Sequence, residues 1–351
     1  MGMTCYKVGL IGYGRSGRDI HSWAIDRSDG RFEVAAISDV TDHRRIQASD
    51  EHSCPVYSDY RDMLKNDKID LYINTAFSNL HVPISIDLLN HGKAVLCEKP
   101  LTSSIDEFEE LAETVRRTGA YFTVFNNKRY DPICIKAREW FNSGLIGEPI
   151  QISLSASNFN RRWDWQMSLA HGGGILMVAG VHILDIALQL VGTGYDPKIF
   201  SSLKHYGAGD ADNYAKVLMT ADNAPTIDIE CSYFDAFKFK RPYYTIQGEY
   251  GTIACTEDSI EVKYYDPAEV SQVDLDVVPL QDSKGNPAFC KEDLPFKHLK
   301  QEYKENRFHA SFLGFYDELY NSLNGKAEVP VSIAELRQQV RVLNACYKSE
   351  F

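Results

Sequence analysis

Short apolar runs alternate with segments of helical spacing over the first 130 residues. The apolar runs predict strands at residues 6–11, 32–38, 70–77, 94–98 and 121–126. Helical patterns fall between them, at residues 18–28, 81–91 and 104–118. Strands that alternate with helices form a parallel sheet covered on both faces. The pattern therefore predicts an α/β domain with a doubly wound parallel sheet over residues 1–130.

The helix predicted after residue 103 carries its own start signal. Ser104 followed by Glu107 is the pattern of a capping box, in which each side chain bonds the other residue's backbone N–H. Apolar residues then recur at helical spacing and define one face for burial. They are Ile105, Phe108, Leu111, Ala112 and Val115.

Past residue 130 the pattern changes to successive strands with few helices between them. The candidate strands are residues 150–157, 214–220, 226–234, 243–248 and 259–265. Helices are predicted at residues 172–191 and 332–347, with a long polar excursion at 268–300. This succession indicates an α+β domain with a large, mostly antiparallel open sheet. We expect that domain to span residues 131–351, with a C-terminal helix able to pack back on the first domain.

A glycine-rich turn joins the first predicted strand to the first predicted helix, with the sequence G-Y-G-R-S-G. Gly12 permits a tight turn, Gly14 lets the backbone approach a pyrophosphate, and Gly17 lets helix and strand pack closely. Backbone N–H groups at the helix start then face the phosphates. The other members of the loop are Tyr13, Arg15 and Ser16. The context predicts a Rossmann dinucleotide site, whereas an isolated glycine turn would be only structural.

An acidic residue completes this pattern and indicates which dinucleotide binds. Asp39 ends the second predicted strand, about 20 residues after the glycine loop. A carboxylate there accepts hydrogen bonds from the adenosine ribose and repels a 2′-phosphate. Val40 offers no positive charge, although Arg44 and Arg45 lie nearby and partly offset the repulsion. The sequence therefore favours NAD over NADP.

Composition narrows the class of protein without naming a function. The chain has 351 residues, 44% of them apolar and 25% charged, as in ordinary soluble proteins. The net charge of −12 argues against a nucleic-acid or anionic-membrane partner. Because there is no run of about eighteen apolar residues and no signal-peptide pattern, we expect a cytoplasmic protein. The eight scattered cysteines predict free thiols and no metal site.

Several short motifs follow one another in a fixed order along the chain. They are T-A-F-S-N-L-H (75–81), E-K-P (98–100), N-K-R-Y-D-P (127–132), G-E-P-I (147–150), G-G-G (172–174), G-V-H-I-L-D (180–185) and I-Q-G-E-Y-G-T-I (246–253). With the glycine loop, this set resembles the Gfo/Idh/MocA family, named for glucose–fructose oxidoreductase and inositol dehydrogenase. The resemblance covers nearly the whole chain. It implies a two-domain, homo-oligomeric NAD(P)-dependent oxidoreductase that acts on sugars, polyols or their derivatives.

The resemblance implies three catalytic residues. Lys99 is placed beside the nicotinamide and the reacting hydroxyl, where alcohol oxidation needs a proton acceptor and stabilisation of a developing oxyanion. His182 matches the family's catalytic histidine, and its unperturbed pKa of about 6.5 suits proton exchange. Asp185 lies three residues on, shares the same helix face, and is expected to orient the imidazole or bind a substrate hydroxyl.

Further residues are assigned to the ligands by the same resemblance. Beyond the glycine loop and Asp39, the implied cofactor-binding residues are Thr75, Ala76, Asn79, His81, Glu98, Lys99 and Asn127. The implied substrate contacts are Lys99, Tyr130, Trp163, Trp165, His182 and Asp185. Trp163 and Trp165 suit stacking on sugar rings, and equally suit the core or a subunit contact. The neighbouring Arg161 and Arg162 suit acidic groups.

One position departs from the family pattern. Many active members carry an acidic residue four positions before the histidine, where this chain has Val178. A valine cannot bind a sugar hydroxyl or share a proton with His182. Either Lys99, His182 and Asp185 suffice for catalysis, or simple polyol dehydrogenation has been lost.

The resulting interpretation is an NAD-dependent oxidoreductase acting on a small molecule. Hydride passes between nicotinamide and a ring hydroxyl carbon of a sugar, an inositol-like polyol or a glycoside. His182 exchanges the hydroxyl proton, Lys99 polarises the hydroxyl oxygen, and Asp185 orients the imidazole. Two alternatives stay open: sugar or glycoside oxidation with tightly bound, internally recycled NAD(H), and a non-catalytic dinucleotide-binding sensor or regulator.

Overall fold

Two β-sheets organise the chain in the computed structural model, which describes residues 3–237, 243–256, 258–272, 275, 277–290 and 292–348. The strands of the first sheet are β1 (Tyr6–Ile11), β2 (Phe32–Ser38), β3 (Val56–Tyr57), β4 (Leu71–Asn74), β5 (Ala94–Cys97) and β6 (Phe122–Val124). They pair in parallel in the order β3-β2-β1-β4-β5-β6. This confirms the doubly wound sheet. The strand order reverses beside β1, so ligands are expected at the carboxyl ends of β1 and β4.

The helices of the first sheet are α1 (Trp23–Ile25), α2 (Asp42–His52), α3 (Tyr60–Met63), α4 (His81–Asn90) and α5 (Ile105–Thr118). The single helix predicted at 18–28 is wrong in type, because a π-helical turn, Gly17–Ser22, precedes α1. The wide turn buries three consecutive side chains, those of Ile20, His21 and Ser22.

The start of α5 differs in one detail from the predicted capping box. The Ser104 hydroxyl does accept the Glu107 N–H, at 3.4 Å. The Glu107 carboxylate, however, accepts from the Thr102 hydroxyl at 2.7 Å, and the Ser104 N–H donates to that same hydroxyl at 2.9 Å. Thr102 therefore takes the place of the expected return bond, which sequence spacing alone does not indicate.

The strands of the second sheet are β7 (Pro149–Ser157), β8 (Lys198–Lys204), β9 (Tyr214–Thr220), β10 (Thr226–Ser232), β11 (Tyr244–Gly248), β12 (Gly251–Cys255), β13 (Ser259–Tyr264) and β14 (Lys297–Glu302). Their order is β14-β13-β12-β11-β7-β10-β9-β8. Only β7 and β10 pair in parallel among these described strands. The predicted, mostly antiparallel sheet is confirmed. The edge strands β8 and β14 were not predicted, because β14 is polar and almost entirely exposed and β8 lacks a clear apolar alternation.

The remaining helices are α6 (Pro132–Asn142), α7 (Val181–Val191), α8 (Arg307–Leu323) and α9 (Ile333–Lys348). α6 and α7 pack on the buried face of the second sheet. The stretch Leu169–Val191 is long and apolar enough, by length and composition, to cross a membrane. Because 67% of its most apolar window is buried inside the protein, the stretch has the burial of a core helix.

The last two helices return to the first sheet. α8 buries Phe312, Phe315 and Tyr316 against the cluster formed by β1 and β2. α9 contributes Leu336 to a cluster with α4 and α5, and its later residues pack with the second sheet. α9 therefore links the two sheets in space. The boundary predicted between residues 130 and 131 stays a prediction.

Candidate active site

The glycine loop has the geometry that a bound phosphate requires. Gly12 has φ +94°, and a Cβ on Gly17 would lie 2.0 Å from the Gly12 carbonyl oxygen. A Cβ on Gly14 would meet only Arg44, at 3.5 Å, so space remains beside the loop. The Thr75 hydroxyl donates to the Gly12 carbonyl at 2.7 Å and fixes the turn from β4. The loop thus fits a nucleotide pyrophosphate.

Asp39 lies at the end of β2, beside this loop. Its carboxylate accepts the N–H of Tyr13 at 2.7 Å and the N–H of Thr41 at 2.8 Å. The Arg44 guanidinium is 3.6 Å from the same carboxylate. The loop and Asp39 therefore form one bonded unit, and one arginine is close enough to moderate the negative charge.

Glu98 is buried at the end of β5 and is held from two sides. One oxygen accepts the Lys99 N–H at 2.9 Å, and the other is 3.3 Å from His21 Nε2. The Nδ1 atom of His21 is in turn 2.8 Å from the Tyr316 hydroxyl on α8. Burial raises the pKa of Glu98, but the hydrogen bond with His21 and the charge of Lys99 act in the opposite direction, and together with weaker contributions they hold the pKa below its ordinary value. The carboxylate is therefore fixed in its charged form.

Lys99 follows Glu98 and turns toward the second sheet. Its Nζ donates to the backbone carbonyl of Val178 at 3.1 Å. Burial lowers the pKa of Lys99, the Glu98 charge opposes this, and the cations Arg15, Arg162 and Lys128 lower the pKa further. A bound oxygen anion next to Lys99 would therefore stabilise its ammonium form.

Val178 lies in a second π-helical turn, Leu176–Gly180, that leads directly into α7. Such wide turns are frequent at functional sites because they change the direction of carbonyls and side chains. Here the turn directs a backbone carbonyl to Lys99, and His182 follows two residues after the turn. The chain therefore uses the Val178 backbone where the family pattern implies an acidic side chain.

His182 is half-buried, and its Nδ1 atom is buried without a protein hydrogen-bond partner. Burial lowers the pKa of the imidazole well below 6.5, and the charges of Lys99 and Lys128 act in the same direction. The ring is therefore neutral at pH 7 and able to accept a proton.

The structure corrects the expectation for Asp185. Both of its oxygens accept from the Arg129 guanidinium at 2.7 Å, and Asn126 donates to one of them at 3.0 Å. The buried Asp185 carboxylate, on α7, is thus engaged by Arg129 and Asn126, and none of the hydrogen bonds among the described residues joins it to the His182 ring, so the expected orienting bond is missing. Its contact with a substrate stays a prediction. The spacing correctly put Asp185 on the same helix as His182, but the partner of its carboxylate, Arg129, comes from the turn after β6.

We expect Asp185→Asn to reduce stability rather than chemistry. Breaking a buried ion pair costs about 3–5 kcal/mol, and the lower end applies because Arg129 keeps Glu335 at 2.6 Å. Thermal unfolding monitored by circular dichroism should show this loss, with near-normal kcat in the folded fraction. Asp317→Asn, in an exposed pair with Arg31, is the matched control and should change stability by less than about 1 kcal/mol. A stable variant with abolished turnover would contradict this role.

Tyr130 is also placed differently from the expectation. Its ring packs edge-on against Phe315, with centroids 5.5 Å apart. It lines a cavity with Arg138, Gln189 and Glu318 that does not include Lys99 or His182. A substrate contact by Tyr130 is therefore not supported by its position.

The other predicted residues lie mainly on the loops that follow β4, β6 and β7. His81 is buried, with Nδ1 2.6 Å from the Pro100 carbonyl and Nε2 3.1 Å from the Ala76 carbonyl, so it joins the loops after β4 and β5. Asn79 is exposed on the same loop. Asn127 donates to Ser311 on α8 at 2.8 Å. Trp165 faces Phe77 with ring centroids 5.0 Å apart, and Trp163 is 82% exposed.

Sequence reasoning gave no role to Lys128. This residue follows Asn127 at the end of β6 and lines a cavity of about 830 Å³. The cavity reaches Ala179, next to Val178, and is walled by the end of β7 and by Tyr233. The position of Lys128 at the carboxyl end of a parallel strand was the available signal.

Comparison with known proteins agrees with this geometry. Residues 6–126 match the family model described as "Oxidoreductase family, NAD-binding Rossmann fold", and residues 134–254 match "GFO/IDH/MocA C-terminal domain". The chain belongs to the Gfo/Idh/MocA family. It is therefore an oxidoreductase that depends on a nicotinamide dinucleotide, as the glycine loop and Asp39 indicate.

Two of the similar proteins match this oxidoreductase over nearly its full length. The uncharacterised oxidoreductase YdgJ of Escherichia coli is 25% identical over 96% of this chain and 94% of its own length. The scyllo-inositol 2-dehydrogenase (NADP(+)) IolW of Bacillus subtilis is 24% identical over 98% and 93%. The fold is shared with levoglucosan dehydrogenase, solved with NADH and levoglucosan, at a TM-score of 0.81 and 18% identity over 98% of this chain and 97% of the other.

Proposed function

We propose that this oxidoreductase oxidises a ring hydroxyl of a sugar, an inositol-like polyol or a glycoside, with NAD as the hydride acceptor. The observation that carries the proposal is the pairing of Lys99 with a neutral His182. Lys99, which follows β5 at the carboxyl edge of the parallel sheet, reaches the turn that precedes His182 and donates to the Val178 carbonyl there at 3.1 Å. The naming of related proteins as inositol and levoglucosan dehydrogenases supports the substrate class.

The proposed chemistry moves one hydride and one proton. The glycine loop and Asp39 would hold the dinucleotide, which would supply the hydride acceptor as the carbinol carbon is oxidised to a carbonyl carbon. The hydroxyl proton goes to His182, whose neutral ring is free to take it. The Lys99 ammonium faces the same oxygen and stabilises its developing negative charge. The Glu98 carboxylate accepts the backbone N–H of Lys99 and so fixes the backbone from which the lysine side chain extends.

The direct test is turnover with a panel of inositols, hexoses and glycosides, followed by absorbance of the reduced nicotinamide. The proposal is supported if this absorbance rises in proportion to added NAD and only with one class of compound. An absorbance rise no larger than the amount of bound cofactor would favour internal recycling of NAD(H). Bound NAD with no turnover of any compound would favour the sensor alternative. The expected homo-oligomer and cytoplasmic location stay predictions.

We further propose NAD rather than NADP, because a carboxylate at the end of β2, such as that of Asp39, is expected to accept from the adenosine ribose and to repel a 2′-phosphate. Asp39→Ser retains an acceptor for the Tyr13 N–H and removes the charge, leaving Arg44 to attract the phosphate. We expect the ratio of kcat/KM for NADP to that for NAD to rise about tenfold or more. Steady-state kinetics with both cofactors measure the ratio, and Asp50→Ser on the exposed side of α2 is the control. Wild-type preference for NADP would overturn the assignment.

A further inference from the structure

His21 is a fully buried residue to which the proposed chemistry assigns no step. It lies in the π-helical turn Gly17–Ser22 that follows the glycine loop, and its ring packs on Phe125 with centroids 4.5 Å apart. Wide turns of this kind are frequent at functional sites. A buried imidazole needs a hydrogen-bond partner for each ring nitrogen. The two partners of His21 come from distant parts of the chain, and one of them leads to Lys99.

The first partner fixes the tautomer of the His21 ring. The Nδ1 atom is 2.8 Å from the hydroxyl of Tyr316, on α8. Burial raises the pKa of that hydroxyl well above its ordinary value, so the hydroxyl keeps its proton and can donate it. A neutral imidazole that accepts at Nδ1 carries its own proton on Nε2. That nitrogen is 3.3 Å from Oε1 of Glu98, so His21 is set to donate to the carboxylate.

The second partner passes this restraint to the backbone of Lys99. With Oε1 of Glu98 held by His21, the other oxygen, Oε2, accepts the Lys99 N–H at 2.9 Å. On the far side of Lys99, the Pro100 carbonyl is 2.6 Å from Nδ1 of the buried His81. The backbone around Lys99 is therefore held by a side chain on each flank. On the Glu98 flank, the donor to the free oxygen of the carboxylate is His21.

We propose that His21 is a positioning residue for Lys99, which acts through Glu98 and is held in its donor tautomer by Tyr316. The inference rests on the function proposed above, because Lys99 has its role there. Removing the donor leaves one oxygen of a buried carboxylate without a partner, and such a group turns away or takes up a proton. Either response loosens the bond to the Lys99 N–H. A displacement of about 1 Å at a reacting group lowers the rate by about a hundredfold.

The kinetic experiment compares two replacements of His21. Leucine and glutamine are close in size, but only glutamine has an N–H for Glu98 and an oxygen for Tyr316. We expect His21→Leu to lower kcat by about ten- to a hundredfold with little change in KM, and His21→Gln to stay within about threefold of the wild type. Tyr316→Phe, which no longer selects the tautomer, should lower kcat by about three- to tenfold. Turnover is measured with the best substrate of the panel, per amount of folded protein.

Matched controls come from the same residue types. His43→Leu replaces an exposed histidine on α2, and Tyr320→Phe removes a hydroxyl one turn farther along α8. Both should leave kcat unchanged. A ring that served only to fill the core would make the leucine and glutamine variants of His21 equally impaired. That result, or an unchanged kcat in His21→Leu, would overturn the inference and leave the proposed function standing.

Nuclear magnetic resonance of the NAD-loaded enzyme, with ¹⁵N-labelled histidine, tests the inference without a substrate. Two-bond ¹H–¹⁵N correlations report which ring nitrogen carries the proton, and the His21 signals are those lost in His21→Gln. We expect a proton on Nε2, an unprotonated Nδ1, and a changed Nδ1 shift in Tyr316→Phe. A proton on Nδ1, which could not accept from Tyr316, would overturn the inference. Failure of every compound to reduce NAD would instead overturn the proposed function, whatever tautomer the spectrum shows.

Discussion

Lys99→Met should abolish turnover while the protein stays folded and binds its cofactor. Methionine keeps the length of the side chain and removes the charge that stabilises the developing oxyanion. Loss of one such group lowers kcat by about a hundred- to a thousandfold, and loss of proton positioning adds to this. Stopped-flow reduction of NAD with the best substrate of the panel measures the effect on the chemical step.

Folding should survive this change, because Lys99 lies among cations that repel it. Thermal unfolding and titration with NAD serve as the two structural readouts. Lys68→Met, an identical replacement at an exposed lysine in the turn before β4, is the matched control and should retain full activity. Unchanged turnover in Lys99→Met with intact cofactor binding would remove Lys99 from the mechanism.

His182→Gln should lower kcat by about a hundred- to ten-thousandfold, since glutamine keeps polar contacts but accepts no proton. The pH profile of the wild-type enzyme provides an independent check. Burial together with Lys99 and Lys128 holds the pKa of His182 well below 6.5. The neutral ring therefore persists as pH falls, and kcat/KM should stay flat from neutral pH to well below 6.5. On the basic side, activity should fall with deprotonation of Lys99, at a pKa lower than 10.5.

The profile of His182→Gln separates a catalytic from a structural role. If His182 is the proton acceptor, the acidic limb of the wild-type profile should be absent from the residual activity of the variant. An acidic limb at 6.5 or above in the wild type would contradict the charge environment described for His182. An unchanged kcat in the variant would assign the proton to another group.

The cofactor-binding half of the site could be predicted from local sequence. The glycine loop and Asp39 are fixed by short-range geometry: a tight turn at Gly12, close packing at Gly17, and a carboxylate at the end of the adjacent strand. Each requirement limits the residue type at one position, so the residues themselves indicate the structure. The family model over residues 6–126 and the strand order agree with the predicted Rossmann fold.

The proposed substrate-binding half of the site could not be predicted in the same way, because it depends on tertiary contacts that the spacing of residues along the sequence does not reveal. Asp185 stands at the right interval from His182, yet Arg129, on a different turn, takes its carboxylate. Tyr130 follows Arg129 but turns toward α8, because Phe315 offers an aromatic edge there. Lys128, which gave no local signal beyond its strand-end position, acts electrostatically on both Lys99 and His182. Side-chain direction in irregular turns is set by neighbours far away in sequence.

The central claim is hydride transfer from a ring carbinol carbon, and isotope transfer tests it most directly. A substrate identified from the panel is prepared with deuterium on the reacting carbon and mixed with enzyme and NAD. The reduced cofactor is then analysed by mass spectrometry after a single turnover. We predict a cofactor that carries one deuterium, formed by the wild-type enzyme and not by Lys99→Met. Reduced cofactor without deuterium, or bound NAD that no labelled sugar, polyol or glycoside reduces, would contradict the proposed function.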